Sequence, residues 1–358
     1  MTEDTTIDAS TITQAVRLID PTWSLQAHEP AAGGYLPVYV LTLDTPAGST
    51  QAVLKASPDG ERHGIDVEAR ILRLLEARTS LPVPEVYGAV DEHDELPAPY
   101  FLSAYAPGAT VERNELHTLE NDHLETLARA SGQYIAELHS LDLFDAYGYL
   151  ERAPDRTLRG ERPPTAPESV VVTHPTDSWR EQVRAWTDDT VSGAATTRFG
   201  DLVPDVEPVL DDRIARLDGA FQPVLGHIDN SIENLKHDPE TGEITAMLDW
   251  AFSLSVTPGY DLVLIEQSLS GGQWRLVHDT PDYTSRIRAA LLDGYRREGA
   301  TRALRELDRH RDLYELLSLL RSMNNLETWL SAKNATPAQI DAAVRTIRDR
   351  TRAIINDG

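Results

Sequence analysis

The sequence has no cysteine, few lysines and no long apolar run. Without cysteine the chain cannot form disulfide bonds, zinc–thiolate sites or a thiol nucleophile. No apolar stretch approaches the roughly 20 residues that a membrane-spanning helix needs. Residues 1–10 are acidic and polar, with neither the basic start nor the apolar core of a signal peptide. We therefore expect a cytoplasmic protein with no membrane partner.

Positive charge is also scarce, because the chain has 58 acidic but only 33 basic residues and a formal net charge of -25. Such a chain should repel nucleic acid, whose recognition needs a basic surface. Only three basic residues are lysines (Lys55, Lys236 and Lys333), and the other 30 are arginines. An acidic surface with little lysine indicates adaptation to high salt, which screens self-repulsion. The alternative is an ordinary acidic protein with GC-rich codon usage.

The first part of the chain has the pattern of a β-rich lobe. At 358 residues the chain is long enough for two domains, and 41% hydrophobic residues suit a globular protein. Apolar periodicity and turn residues predict the elements of this first lobe. They are a helix ending at Ile19, strands at 35–43, 51–56, 86–90 and 100–105, and a helix at 66–77.

After about residue 110 the pattern becomes mostly helical. Apolar residues at helical spacing predict helices around 124–138, from Trp179 onward and from about residue 283 to the end. A stretch rich in Pro, Arg and Thr, residues 151–177, is interpreted as a loop. We therefore predict an α+β, two-lobed fold, with a small β-rich lobe at 1–105 and a larger, mainly helical lobe at 106–358.

The most informative segment is residues 227–234, which fits the H-x-D-x-x-x-x-N spacing of a kinase catalytic loop. Asp249 follows 20 residues after Asp229. Residues 238–243 are rich in turn-forming types, and a hairpin centred there would set Asn234 opposite Asp249. An amide oxygen and a carboxylate are hard ligands of the kind that Mg²⁺ prefers. Asp229 would then accept the proton of an attacking hydroxyl.

Lys55 is the second candidate, because it ends an apolar strand in a chain that uses arginine almost everywhere else. A lysine on this strand contacts nucleotide phosphates in kinases and pairs with a glutamate on the next helix, here Glu68. Gly33 and Gly34 precede the first strand of the lobe, where glycine would let the backbone approach phosphate. The Walker motif G-x-x-x-x-G-K-[ST] is absent from the sequence, which disfavours a P-loop enzyme.

Together these residues resemble the aminoglycoside phosphotransferase family, which includes choline kinase-type enzymes and other small-molecule kinases of protein-kinase-like fold. The resemblance covers residues 33–262. In the first part of the chain, residues 33–40 match the family's nucleotide loop, residues 67–69 and 83–86 its helix and following strand, and residues 100–108 its hinge. Further on, residues 138–139 match its Leu-His helix end, residues 248–250 its Asp-Trp motif and residues 260–262 the motif after it.

The resemblance implies roles for these positions. Nucleotide, ATP or GTP, would lie against the hinge near Ser103 and Tyr105, with Lys55 on the α- and β-phosphates and Glu68 steadying it. Asp229 would be the catalytic base. Asn234 and Asp249 would hold Mg.

The 227–234 loop departs from the common family pattern His-Gly-Asp-Leu-His-Pro-Gly-Asn at several positions, including 228, 231, 232 and 233. Ile, Ser, Ile and Glu replace Gly, His, Pro and Gly at Ile228, Ser231, Ile232 and Glu233.

The resemblance therefore predicts a Mg-dependent kinase that phosphorylates a hydroxyl of a small metabolite, such as an amino sugar, a sugar or an amino alcohol. The alternative is a pseudokinase that binds nucleotide or a partner without catalysis. The sequence does not predict which acceptor is used, whether ATP or GTP is the donor, or the oligomeric state.

Overall fold

The structure is a computed structural model that describes residues 6–31, 36–57, 59–219, 221–297 and 301–356. Its strands are β1 (Ser24–Pro30), β2 (Val38–Thr45), β3 (Gly48–Ala56), β4 (Val86–Val90), β5 (Tyr100–Ala104), β6 (Tyr147–Arg152), β7 (Val170–Thr176), β8 (Val224–Gly226), β9 (Leu235–His237), β10 (Ile244–Met247) and β11 (Leu254–Val256). Its α-helices are α1 (Ala9–Ile19), α2 (Ile65–Arg78), α3 (Asn121–His139), α4 (Trp179–Ala194), α5 (Val203–Ala215), α6 (Pro258–Leu269), α7 (Thr284–Arg297), α8 (Thr301–Ala332) and α9 (Pro337–Asn356).

The described residues form two compact units. The first contains residues up to 108 together with 150–173 and 245–253, and the second contains 109–149, 174–244 and 254–358. The amino-terminal part is built on a β-sheet and the carboxy-terminal part is helical, so the predicted α+β class is confirmed. Within the described ranges, no helix combines the length and the apolar character needed to cross a membrane.

The first unit is built on a five-stranded antiparallel sheet with strand order β1-β2-β3-β5-β4. Alternate residues of β3 are buried, namely Ala52, Leu54 and Ala56, as expected when one face of a strand packs on a core. Ile12 and Val16 of α1 join the same hydrophobic core. Lys55 therefore projects from the other face of β3.

The second unit contains β8, β11, residues 147–149 of β6 and most of the helices, and β11 lies between β8 and β6. Helices α3 and α7 approach most closely at two glycines. A Cβ on Gly132 would lie 2.1 Å from the backbone oxygen of Leu291, and one on Gly294 would lie 2.0 Å from that of Arg129. Only glycine permits this separation of the two helix backbones.

Strands β1, β6, β7, β8 and β11 were not predicted from the sequence. The stretch at 151–177, predicted as a loop, contains the end of β6 and all of β7, and β1 lies where no element was predicted. Both β1 and β7 are edge strands. An edge strand has a neighbouring strand on one side only, and its sequence carries less of the alternation between apolar and polar residues. That alternation is the pattern by which a strand is recognised in a sequence.

Candidate active site

The first unit brings together three of the candidate residues around the ammonium group of Lys55. Its Nζ lies 2.6 Å from Oε2 of Glu68 and 2.9 Å from Oδ1 of Asp249. The Lys55 side chain is 14% exposed, that of Glu68 4% and that of Asp249 36%. The cation is therefore held at the inner end of a small acidic cluster whose Asp249 side reaches solvent.

Local geometry explains why Glu68 and Asp249 meet. Gly64 caps the start of α2 with φ +76°, and a Cβ there would lie 2.2 Å from the backbone oxygen of Ala251. The segment after Asp249 thus packs directly on the first turn of α2, which carries Glu68. The backbone N–H of Trp250 also donates to Oε1 of Glu68, at 3.3 Å.

Electrostatics keep Lys55 charged. Burial alone would lower its pKa, but the carboxylates of Glu68 and Asp249 outweigh burial and hold the pKa above its ordinary value. A fixed ammonium on the central strand of the sheet is suited to binding phosphate, because lysine presents a compact point charge.

Asp249 itself has left-handed backbone geometry, with φ +62°. This conformation is uncommon outside glycine but is adopted by Asp and Asn more readily than by other residues. The next residue, Trp250, is fully buried, and its Nε1 donates to the backbone oxygen of Met247 at 3.0 Å. The buried indole anchors the turn that presents Asp249.

In the second unit, the 227–234 loop follows β8 and is tied down by one buried carboxylate. Oδ1 of Asp261, on α6, accepts from the backbone N–H of Ile228 at 2.8 Å, and Oδ2 accepts from that of His227 at 3.3 Å. Oδ2 also lies 2.9 Å from Nε2 of His139, at the end of α3. The position and direction of the loop are thus set by two helices.

Ile228 has φ +67°, at the position where the resembled pattern has glycine. The backbone N–H of Asp229 donates to the oxygen of His227 at 2.8 Å, which closes a tight turn around Ile228. A β-branched residue is strained in this region, whereas glycine is not. The loop conformation therefore accounts for the glycine of the family pattern, and here isoleucine is held in the same turn.

The side chain of Asn234 is held by a hydrogen bond within its own loop. Its Nδ2 donates to the backbone oxygen of Asp229 at 2.9 Å, which leaves Oδ1 as the side-chain acceptor. An amide oxygen is a hard donor of the kind that Mg²⁺ prefers. The carboxylate of Asp249, in the first unit, is a donor of the same kind. In the described part of the chain, no group of three or more His, Cys, Asp and Glu side chains could enclose a metal ion.

Beside Asp229, the candidate base, lies an arginine that the sequence analysis did not identify. Nη2 of Arg113 lies 2.9 and 3.1 Å from the two carboxylate oxygens of Asp229. Its Nε donates to Oε1 of Glu233 at 2.8 Å, and Oε2 of Glu233 lies 3.3 Å from Nζ of Lys333. The signals in the sequence that could have pointed to this cluster were the departure from the loop pattern at Glu233 and the scarcity of lysine, which makes Lys333 unusual.

Ser103 and Tyr105 lie in and beside the first unit's sheet. Ser103 is buried on β5, where it pairs with Val53 and Val86, and the backbone N–H of Tyr105 donates to the oxygen of Gln51 at 3.4 Å. Gly33 and Gly34 fall outside the described residues.

The β-sheet of the amino-terminal part and the helices of the carboxy-terminal part belong to the class of protein-kinase-like folds. The sequence model of the phosphotransferase enzyme family matches residues 28–321. The chain therefore belongs to this family.

Solved structures agree on the fold. A thermostable mutant of the aminoglycoside phosphotransferase APH(4)-Ia, in a ternary complex with ADP and hygromycin B, is similar with a TM-score of 0.56 and 18% identity, covering 97% of this chain and 99% of that one. The GDP complex of wild-type aminoglycoside 2'-phosphotransferase-IIIa has a TM-score of 0.59 and 15% identity, covering 97% and 99%.

A curated relative is acyl-CoA dehydrogenase family member 10 of Mus musculus, 27% identical over 230 residues. The match covers 63% of this chain but only 19% of the mouse protein. The chain thus spans about a fifth of the length of that relative.

Proposed function

We propose that the protein transfers the γ-phosphoryl group of a nucleotide to a hydroxyl of a small metabolite. The observation that carries this proposal is the ion-pair set of Lys55, Glu68 and Asp249, in which a buried lysine is held charged by two carboxylates. Such an arrangement serves phosphoryl transfer, where catalysis consists mainly of positioning and charge stabilisation.

Within the first unit, Lys55 contacts the α- and β-phosphates and Glu68 steadies it. The nucleotide base lies near Ser103 and Tyr105, and the segment with Gly33 and Gly34 covers the phosphates. Nucleotide binding is supported by the similar structures, which hold ADP and GDP. Either ATP or GTP is therefore a candidate donor.

The reacting hydroxyl is assigned to the second unit. Asp229 accepts its proton as the oxygen attacks the γ-phosphorus and the bond to the β-phosphate oxygen breaks. Asn234 and Asp249 are the proposed Mg²⁺ ligands. Bound Mg²⁺ neutralises charge on the phosphate oxygens.

The acceptor class proposed from the sequence is an amino sugar, a sugar or an amino alcohol. Hygromycin B in the complex of APH(4)-Ia supports a small acceptor. Membership of the family is not evidence for antibiotic resistance in this chain, because one fold hosts many substrates.

A coupled assay of nucleotide turnover with Mg²⁺ in molar KCl, against a panel of these acceptors and nucleosides, tests the proposal. We expect one acceptor class to stimulate turnover. Asp229→Ala should lower kcat by about 10³-fold, since a general base contributes 10²- to 10⁴-fold. Nucleotide affinity by calorimetry should stay close to wild type. Asp188→Ala, an exposed position on α4, is the matched control and should keep full activity.

Wild-type turnover in Asp229→Ala would show that Asp229 is not the base. Nucleotide binding without turnover of any acceptor would favour the pseudokinase alternative, and absence of nucleotide binding would overturn the proposal.

A further inference from the structure

Every nitrogen of the Arg113 guanidinium is engaged around the candidate base. Nη2 contacts both oxygens of Asp229, Nε donates to Glu233, and Nη1 lies 3.4 Å from Oε1 of Gln273. The Arg113 side chain is 15% exposed and that of Asp229 28%. A planar guanidinium with all its edges occupied has little rotational freedom, so it holds its carboxylate partner in one orientation.

Arg113 is in turn held from the far side by a second cation. Glu233 gives one oxygen to Arg113 and the other to Lys333, whose Nζ also lies 3.0 Å from Oε2 of Glu112. The groups thus form a chain of alternating charge, Lys333–Glu233–Arg113–Asp229. Its last member is the proposed base.

Two features of the sequence tie this chain of charges to the site rather than to general surface pairing. Glu233 stands where the resembled loop pattern has glycine. The carboxylate that binds Arg113 and Lys333 is therefore a feature of this sequence and not of the common pattern. Lys333 is one of only three lysines among 33 basic residues.

We propose that Arg113 is a positioning residue for Asp229, and that Glu233 and Lys333 fix Arg113 in place. This inference rests on the proposed function, because it takes Asp229 as the base. Asp229 is otherwise contacted on its carboxylate by Oγ of Ser268, which lies 3.5 Å from Oδ1. That contact is too long to set the orientation alone.

Arg113→Ala tests the proposal through kcat. We expect kcat to fall by about 10²-fold, the loss typical of a misplaced catalytic group, while nucleotide affinity stays close to wild type. Added guanidinium chloride at millimolar concentration should restore part of the turnover, and equal KCl should not. Glu233→Gln should lower kcat less, and should add little in the Arg113→Ala background.

Arg311→Ala is the matched control. Arg311 is also 15% exposed and also contacts two carboxylates, Glu266 and Glu315, but it lies on α8 outside the loop cluster. Arg288 still pairs with both acids in this variant. We expect lower thermal stability with unchanged kcat, which separates loss of an ion pair from loss of positioning.

The outcomes distinguish this inference from the proposed function. If Asp229→Ala is inactive and Arg113→Ala keeps wild-type kcat, positioning by Arg113 is wrong and the base stands. If Asp229→Ala is fully active, the proposed function fails first. Crystal structures of the wild type and of Arg113→Ala need no acceptor: an Asp229 carboxylate in the same orientation in both would overturn the inference, and a rotated or disordered one would support it.

Discussion

Asp261 shows how much of the site depends on a single side chain. It is fully buried, and its two oxygens are shared by the backbone N–H groups of His227 and Ile228 and by the imidazole of His139. A buried carboxylate with several donors is stable only while all of them remain in place. The start of the 227–234 loop is therefore as rigid as the helices that carry Asp261 and His139.

Glu306 gives the fold a dependence on pH. Burial raises the pKa of Glu306 to about 7, against the opposing hydrogen bonds from Thr257 and Tyr314, whose hydroxyl lies 3.0 Å from Oε1. Because the folded pKa exceeds the unfolded value, the folded state binds the extra proton between about pH 4.5 and 7, and stability falls as pH rises through this window. At pH 8, ionisation of Glu306 in the folded state lowers the free energy of unfolding by on the order of 3 kcal/mol at most, relative to its value at low pH.

Glu306→Gln keeps a neutral hydrogen-bonding group at this position. We expect a higher Tm than wild type at pH 8 and little difference at pH 5, measured by thermal unfolding across pH. Glu207→Gln, at an exposed position on α5, should leave the pH profile of Tm unchanged. If Glu306→Gln lowers Tm at pH 8, the carboxylate is stabilising and the argument is wrong.

At the scale of elements, the crossing of α3 and α7 reverses the usual effect of glycine. Replacing glycine by alanine inside an exposed helix normally stabilises it by about 1 kcal/mol. Gly132→Ala or Gly294→Ala would instead place a methyl group about 2 Å from a backbone oxygen of the facing helix. We expect each to lower the free energy of unfolding by about 2 kcal/mol or more, measured by urea denaturation.

Gly193→Ala on α4 is the control for this pair. There the nearest atom to the new Cβ is Oδ1 of Asn324, at 2.6 Å, which is the end of a side chain and can move. The change should be neutral or slightly stabilising. Equal losses of stability in Gly193→Ala and Gly132→Ala would contradict this explanation, because, of these two glycines, only Gly132 faces the backbone of another helix at this distance.

The same scale shows which parts of the fold could be predicted from sequence. Helix α2, predicted at 66–77, was predicted to within one residue at each end from its apolar residues at helical spacing. Strand β3 was predicted to its last residue but begins three residues earlier than the predicted 51. Polar edge strands such as β1 leave no such period, since five of its seven residues are exposed. The ion pair of Arg113 with Asp229 joins positions 116 residues apart, and only tertiary structure brings them together.

The candidate site divides in the same way. Asp229, Asn234, Asp249 and Lys55 were found from spacing and residue type. No role could be predicted for Glu233 from the sequence, because its partners Arg113 and Lys333 belong to segments without a recognisable motif.

For the whole molecule, the net charge of -25 predicts a stability that depends on salt. Like charges repel in the compact state, and at molar salt the screening length falls to about 3 Å. We propose that the chain is adapted to high salt and expect Tm to rise by roughly 5–10 °C between 0.1 and 2 M KCl. A Tm that is constant or lower in 2 M KCl would contradict this, and sucrose, which does not screen charge, is the control for general solute effects.

The few lysines have a consequence for chemical labelling. Acylating reagents attack the unprotonated amine, and the carboxylates of Glu68 and Asp249 keep Lys55 protonated while its side chain is only 14% exposed. Glu112 and Glu233 outweigh partial burial and likewise raise the pKa of Lys333. We expect an acylating fluorophore to modify these two lysines slowly, which leaves Lys236, on β9 just after the 227–234 loop, as the remaining lysine side chain. In a chain without thiols, it offers a nearly site-specific reporter beside the loop that carries Asp229 and Asn234.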